Sequence, residues 1–114
     1  INNMSAVEKI KNKNQEFVKD LSERGYDDAL ILKRDTAEKV TTEKRMKLLE
    51  EITEGEIKSV RDLARKVDRD PGIVSKDLKI LYEAEVIEFE ERKGSKIPQI
   101  KHENIFPEPI ALQK

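Results

Sequence analysis

Residues Arg69–Tyr82 read RDPGIVSKDLKILY. Asp70 is a strong helix N-cap, and Pro71 suits the first helical position, where a missing N–H leaves nothing unsatisfied. Val74, Leu78 and Leu81 recur at helical spacing, so a helix from Pro71 to about Glu83 would bury one apolar stripe. The opposite face would carry Gly72, Ile73, Ser75, Lys76 and Lys79. Its small residues at the start permit close approach, and its lysines offer positive charge. Whether that face is solvated or enters a groove depends on its neighbours.

On the N-terminal side, the Thr41-Thr42 pair offers an N-cap for a helix over residues 42–52 with Met46, Leu48, Leu49 and Ile52 on or beside its inner face. Ser59 opens a second helix with Asp62 three residues on, a capping-box pattern, and Val60, Leu63, Ala64 and Val67 form its apolar stripe. Asp68, Arg69 and Asp70 make a short polar turn. On the C-terminal side, residues 86–91 partly alternate apolar and acidic side chains, as a half-buried strand does. Arg92-Lys93-Gly94-Ser95 reads as a turn, and residues 96–101 return as a second strand that Pro98 confines to an edge. Helix, helix, short turn, helix and hairpin is the order of a winged helix-turn-helix, in which the steep crossing of the last two helices exposes the third to a major groove. The expected fold is mostly α with a small β wing and an N-terminal helical extension.

Further upstream, Val7, Ile10, Asn14, Phe17 and Leu21 follow a 3-4-3-4 spacing in a helix over residues 5–24 that Gly25 ends. These five are read as a dimerisation seam, with packing on the same domain as the alternative. A short strand or helical turn follows near residues 29–32, and a short helix or turn at 35–40. The domain reading is 1–40 for the N-terminal helix and strand, 41–102 for the DNA-binding domain, and 103–114 for an extended tail.

With 23 basic against 24 acidic residues the net charge is −1, which excludes a wholly electrostatic nucleic-acid binder and leaves only local charge to argue from. Lys58–Leu81 holds seven basic and four acidic residues, and Arg92–His102 holds four basic residues and no acidic one. Tyr82–Glu91 holds five acids and no base, and is expected to face away from the basic surface. Candidate phosphate or base contacts are therefore Arg61, Arg65, Arg69, Gly72, Ile73, Ser75, Lys76 and Lys79, with Arg92, Lys93 and Lys96 around the wing tip. Arg69 could instead brace the helix pair through Asp70 or Asp77, and Asp77 is read as pairing with a basic neighbour, with acceptance from a cytosine amino group as the alternative.

No cysteine is present, so disulfides and thiolate metal sites are excluded. His102 is the sole histidine and has no partner at metal-binding spacing, so neither metal nor cofactor is expected. Glu50-Glu51 and Glu90-Glu91 are adjacent and point to different sides, which does not make an acid/base pair. With no phosphate loop or serine elbow either, an enzyme is not expected. No membrane span or signal peptide is visible, so the expectation is a cytoplasmic protein.

Leu63–Asp70 (LARKVDRD) followed by Val74–Leu81 (VSKDLKIL) resembles the helix-turn-helix of a group of archaeal and bacterial transcriptional regulators related broadly to the MarR and ArsR types. Leu30-Ile31-Leu32, Thr41–Arg45 and Ile97-Pro98 resemble that group's strand, helix start and wing; the likeness covers residues 29–100. It implies sequence-specific binding of double-stranded DNA as a homodimer, often in repression, and for some relatives an antitoxin role with a toxin partner. The chain departs from the pattern at Glu85, where the family has Gly; Glu85 must then take a helix-ending conformation that Gly accepts more readily. The alternative is a module that docks a transcription-complex protein or a toxin.

Overall fold

The computed structural model describes residues 6–110 and Leu112, with side chains from Gln15 onward. In chain order the elements are α1 (Ala6–Glu23), β1 (Ala29–Leu32), α2 (Arg34–Val40), α3 (Glu43–Glu54), α4 (Val60–Lys66), α5 (Pro71–Glu83), β2 (Ile87–Arg92), β3 (Ser95–Ile100) and β4 (Asn104–Pro107).

Three helices start where side chains satisfy free backbone N–H groups. The Thr42 hydroxyl accepts from Arg45 N at 3.3 Å, Ser59 from Asp62 N at 3.0 Å and the Asp70 carboxylate from Ile73 N at 3.1 Å. Three helices also end in one way. The residue after the last turn takes a positive φ: +94° at Gly25, 53° at Asp68 and 64° at Glu85. Its N–H and the next one turn back onto the helix, as in Arg69 N to Ala64 O at 2.9 Å and Val86 N to Leu81 O at 3.0 Å. Glu85 thus takes the conformation that its departure from Gly required. At the hairpin tip, Lys93 (φ 50°) and Gly94 (φ 80°) form the two-residue turn that matches the twist of paired strands.

The core gathers Leu32, Val40, Leu48, Leu63, Val74, Leu78, Leu81, Ile87 and Ile97 into one cluster. Burying a side chain such as Leu81 contributes about 1.5–3 kcal/mol. Leu32, Ala37 and Val40 belong to this cluster, so the segment before residue 41 is part of the same packed unit. Met46, expected on the inner face of α3, is 37% exposed, while Leu48, Leu49 and Ile52 are buried.

The two sheets have two strands each. β2 and β3 form the antiparallel hairpin, with Phe89 opposite Pro98 and Glu91 opposite Lys96. The other sheet was not expected. β4 lies in the segment read as an extended tail and pairs parallel with β1, Leu30 opposite Ile105. Asp28 fastens this junction by accepting from Glu103 N at 3.1 Å and meeting His102 Nδ1 at 2.8 Å. The His102 contact, followed by the Glu103 N–H, holds the Asp28 carboxyl below its ordinary range. Phe106 then stacks edge-on against Phe17 and Tyr26, with centroids 5.9 and 5.4 Å apart.

Glu85 holds a left-handed conformation at a cost that glycine avoids, and its 3.8 Å pair with Lys101 is exposed and adds little. Glu85→Gly is expected to stabilise the fold by about 0.5–1 kcal/mol after the entropy of the new glycine is counted. Thermal unfolding would read this as a rise of roughly 3–6 °C in Tm.

Candidate nucleic-acid interface

Asp77 sits on the inner side of α5, where two guanidinium groups hold its carboxylate. Arg45 Nε reaches Oδ1 at 3.1 Å and an Arg69 terminal nitrogen reaches Oδ2 at 2.5 Å; the three side chains are only 13–19% exposed. Arg45 also donates to the Lys39 carbonyl at 2.6 Å. One carboxylate therefore joins the end of α2, the start of α3, the α4–α5 turn and α5. The pairing role read for Asp77 holds. Arg69, placed among the phosphate contacts, is taken up in this brace and is removed from that list, because desolvated charges in so close a pair are not free to reach solvent. Arg45 was absent from the candidate residues; its place three residues after the Thr42 cap was the available signal.

With Asp77 inward, α5 presents Gly72, Ile73, Ser75, Lys76 and Lys79 outward, all exposed, and Ile73 at 52%. A Cβ at Gly72 would come within 3.0 Å of the Asp70 carboxylate, so the small residue protects the cap. Lys79 lies 4.0 Å from Glu83. Beside the start of α5, Ser59, Arg61, Asp62, Arg65, Arg69 and Pro71 line a cleft of about 440 Å³. Arg61 is exposed and has no ion-pair partner among the described residues. Arg65 is exposed and meets Asp62 at 3.0 Å. Asp62 itself is buried, and the Lys58 N–H at 3.0 Å, helped by Arg65 and Lys66, holds its carboxyl below the usual range. The Nη1 atom of Arg69 is buried and has no hydrogen-bond partner.

The hairpin divides the expected wing residues. Lys96 lines a groove of about 580 Å³ between α5 and the hairpin, together with Ser75, Lys79, Tyr82, Glu83, Glu88, Phe89 and Glu91. Arg92 and Lys93 line a different hollow of about 1090 Å³, bounded by Ile52, Ile57, Ile97 and the end of α3. There Arg92 is tied in a fork to Glu90 at 2.8 and 3.0 Å. That fork is the main cause of a lowered Glu90 and a raised Arg92 pKa.

The acidic stretch does not face away from the basic surface. Glu83, Glu88 and Glu91 stand in the groove that Ser75, Lys79 and Lys96 also line. The strand period contained this for Glu91: it shares a face of β2 with Ile87 and Phe89, which turns toward α5, and Phe89 meets Tyr82 at 5.4 Å. Counting residues in a linear stretch hid it.

Of the expected dimer seam, Leu21 is buried at 5% exposure and Phe17 packs on Phe106 of its own chain. The side chains of Val7, Ile10 and Asn14 lie outside the described residues. Among the described residues no helix is long and apolar enough to cross a membrane.

One family model, HVO_A0114, matches residues 40–106, more than half of the chain and nearly all of the unit from α3 to β4. Among curated proteins, none matches the chain.

Removing the Asp77 carboxylate strands two nearly buried guanidinium groups. Asp77→Ala is expected to cost about 2–3 kcal/mol, read as a lower urea midpoint at unchanged m-value. Asp62 has a folded-state pKa below its unfolded value, so its contribution is present above an ordinary carboxylate pKa of about 4 and is lost as pH falls through the lower folded value. Asp62→Asn is expected to be less stable than wild type at neutral pH and to lose less stability on acidification. Tm measured from pH 7 down to about 3 checks this.

Proposed function

We propose that this chain, which belongs to the HVO_A0114 family, is a winged helix-turn-helix protein that binds double-stranded DNA and regulates transcription as a homodimer. The observation that carries the reading is the division of α5: Asp77 is drawn inward by Arg45 and Arg69, while Gly72, Ile73, Ser75, Lys76 and Lys79 stay outward and exposed. α4 and the turn hold α5 beside the cleft that Arg61 and Arg65 line. Ser75 and Lys76 would read base edges. Arg61, Arg65 and the Lys93 tip would meet the sugar–phosphate backbone.

Homodimerisation through α1 belongs to the same proposal. Two copies would set two α5 helices on half-sites about one helical turn apart. Repression is the expected direction, and a toxin bound by a terminal segment is compatible with it. A second reading, a docking module for a protein of the transcription machinery, draws on Tyr82, which is 52% exposed beside a groove with three carboxylates.

Fluorescence anisotropy with the upstream DNA of its own gene and a scrambled duplex, each at two salt concentrations, tests the proposal. Tighter binding to the upstream duplex that persists at the higher salt is expected. Lys76→Ala should weaken that binding by about 1–3 kcal/mol and narrow the preference. Equal weak binding to both duplexes, or none, would sink the reading in favour of protein docking.

A further inference from the structure

The groove between α5 and the hairpin lies where a duplex backbone would pass if α5 entered a major groove and the hairpin straddled the flank. Its lining holds two cations, Lys79 and Lys96, against three carboxylates, Glu83, Glu88 and Glu91. Glu83 is the only one within 4.0 Å of a cation, through Lys79; Glu88 and Glu91 have no ion-pair partner among the described residues. Both are exposed. On the other side of α5 the balance is reversed. The cleft against α4 holds three arginines and one carboxylate, and that carboxylate, Asp62, is buried under its own hydrogen bonds.

We infer that Glu88 and Glu91 repel phosphate from the α5–hairpin groove and so lower affinity for duplex DNA of any sequence, and that the α4-side cleft of Arg61 and Arg65 is the principal phosphate seat. This rests on the DNA-binding reading and deepens it. Repulsion between groups closer than a Debye length of about 8–10 Å acts on every duplex alike, whatever its sequence. The carboxylates therefore lower affinity for every duplex by a similar factor, and preference between sequences is left to the start of α5.

The test is anisotropy at low and moderate salt with a mixed-sequence duplex of about 30 base pairs, long enough for two half-sites. Glu88→Gln/Glu91→Gln is expected to raise affinity for this duplex roughly tenfold at low salt and to steepen the salt dependence, since phosphate can then be neutralised in the groove. Arg61→Ala/Arg65→Ala is expected to lower affinity roughly tenfold and to flatten it. All four residues are exposed, and circular dichroism melting checks that each variant is folded. If the arginine variant loses affinity while the glutamine variant matches wild type, the inference fails and the DNA-binding reading stands. If Lys96→Ala loses more than the arginine variant, the phosphate seat has been placed on the wrong side. If neither wild type nor the glutamine variant binds the duplex at low salt, both readings fall.

Discussion

A single carboxylate sets the attitude of α5. Asp77 lies between Arg45 of α3 and Arg69 of the α4–α5 turn, and Arg45 extends the chain of contacts to the last turn of α2. Apolar packing of Val74, Leu78 and Leu81 decides that α5 is buried along one stripe, but such packing tolerates rotation and sliding. Two forked guanidinium groups meeting one carboxylate do not, because each bond has a direction and a nearly desolvated charge that loses its partner is costly. The outward position of Ser75 and Lys76 is the consequence: they lie on the face of α5 opposite the buried stripe that Asp77 helps to fix.

The surface around α5 is electrically two-sided. The cleft between its start and α4 is basic, while the groove between its end and the hairpin is lined by three glutamates and two lysines. A net charge of −1 conceals this division. On the proposed DNA-binding reading, this division would leave few phosphates neutralised and would make selectivity depend on what the first two turns of α5 meet. The Arg92–Glu90 fork reinforces this, since it ties a hairpin cation to its own strand.

A second sheet joins segments that are distant in sequence. β4 pairs with β1 far along the chain, Ala29 opposite Asn104 and Leu32 opposite Pro107, and Asp28 clamps the pair through His102 and Glu103. Phe106 carries the contact on to Phe17 and Tyr26. The final turn of α1 is thereby anchored to the domain. Any pairing of α1 with a second copy would begin from a helix already fixed at one end.

Much was legible in the residues taken alone. Caps at Thr42, Ser59 and Asp70, the proline at the start of α5, the apolar stripes and the Lys93-Gly94 turn place α3, α4, α5 and the hairpin, because each depends on local backbone chemistry and a short period. The strain at Glu85 was legible for the same reason. The tertiary structure alone decided the parallel pairing of β1 with β4, the exposure of Met46, the capture of Arg69 by Asp77 and the arrival of Glu83, Glu88 and Glu91 beside Lys79. Each of these turns on which distant segments become neighbours. A charge can be counted along the chain, but what it repels or holds is settled by distance in space, and that distance exists only once the core has closed.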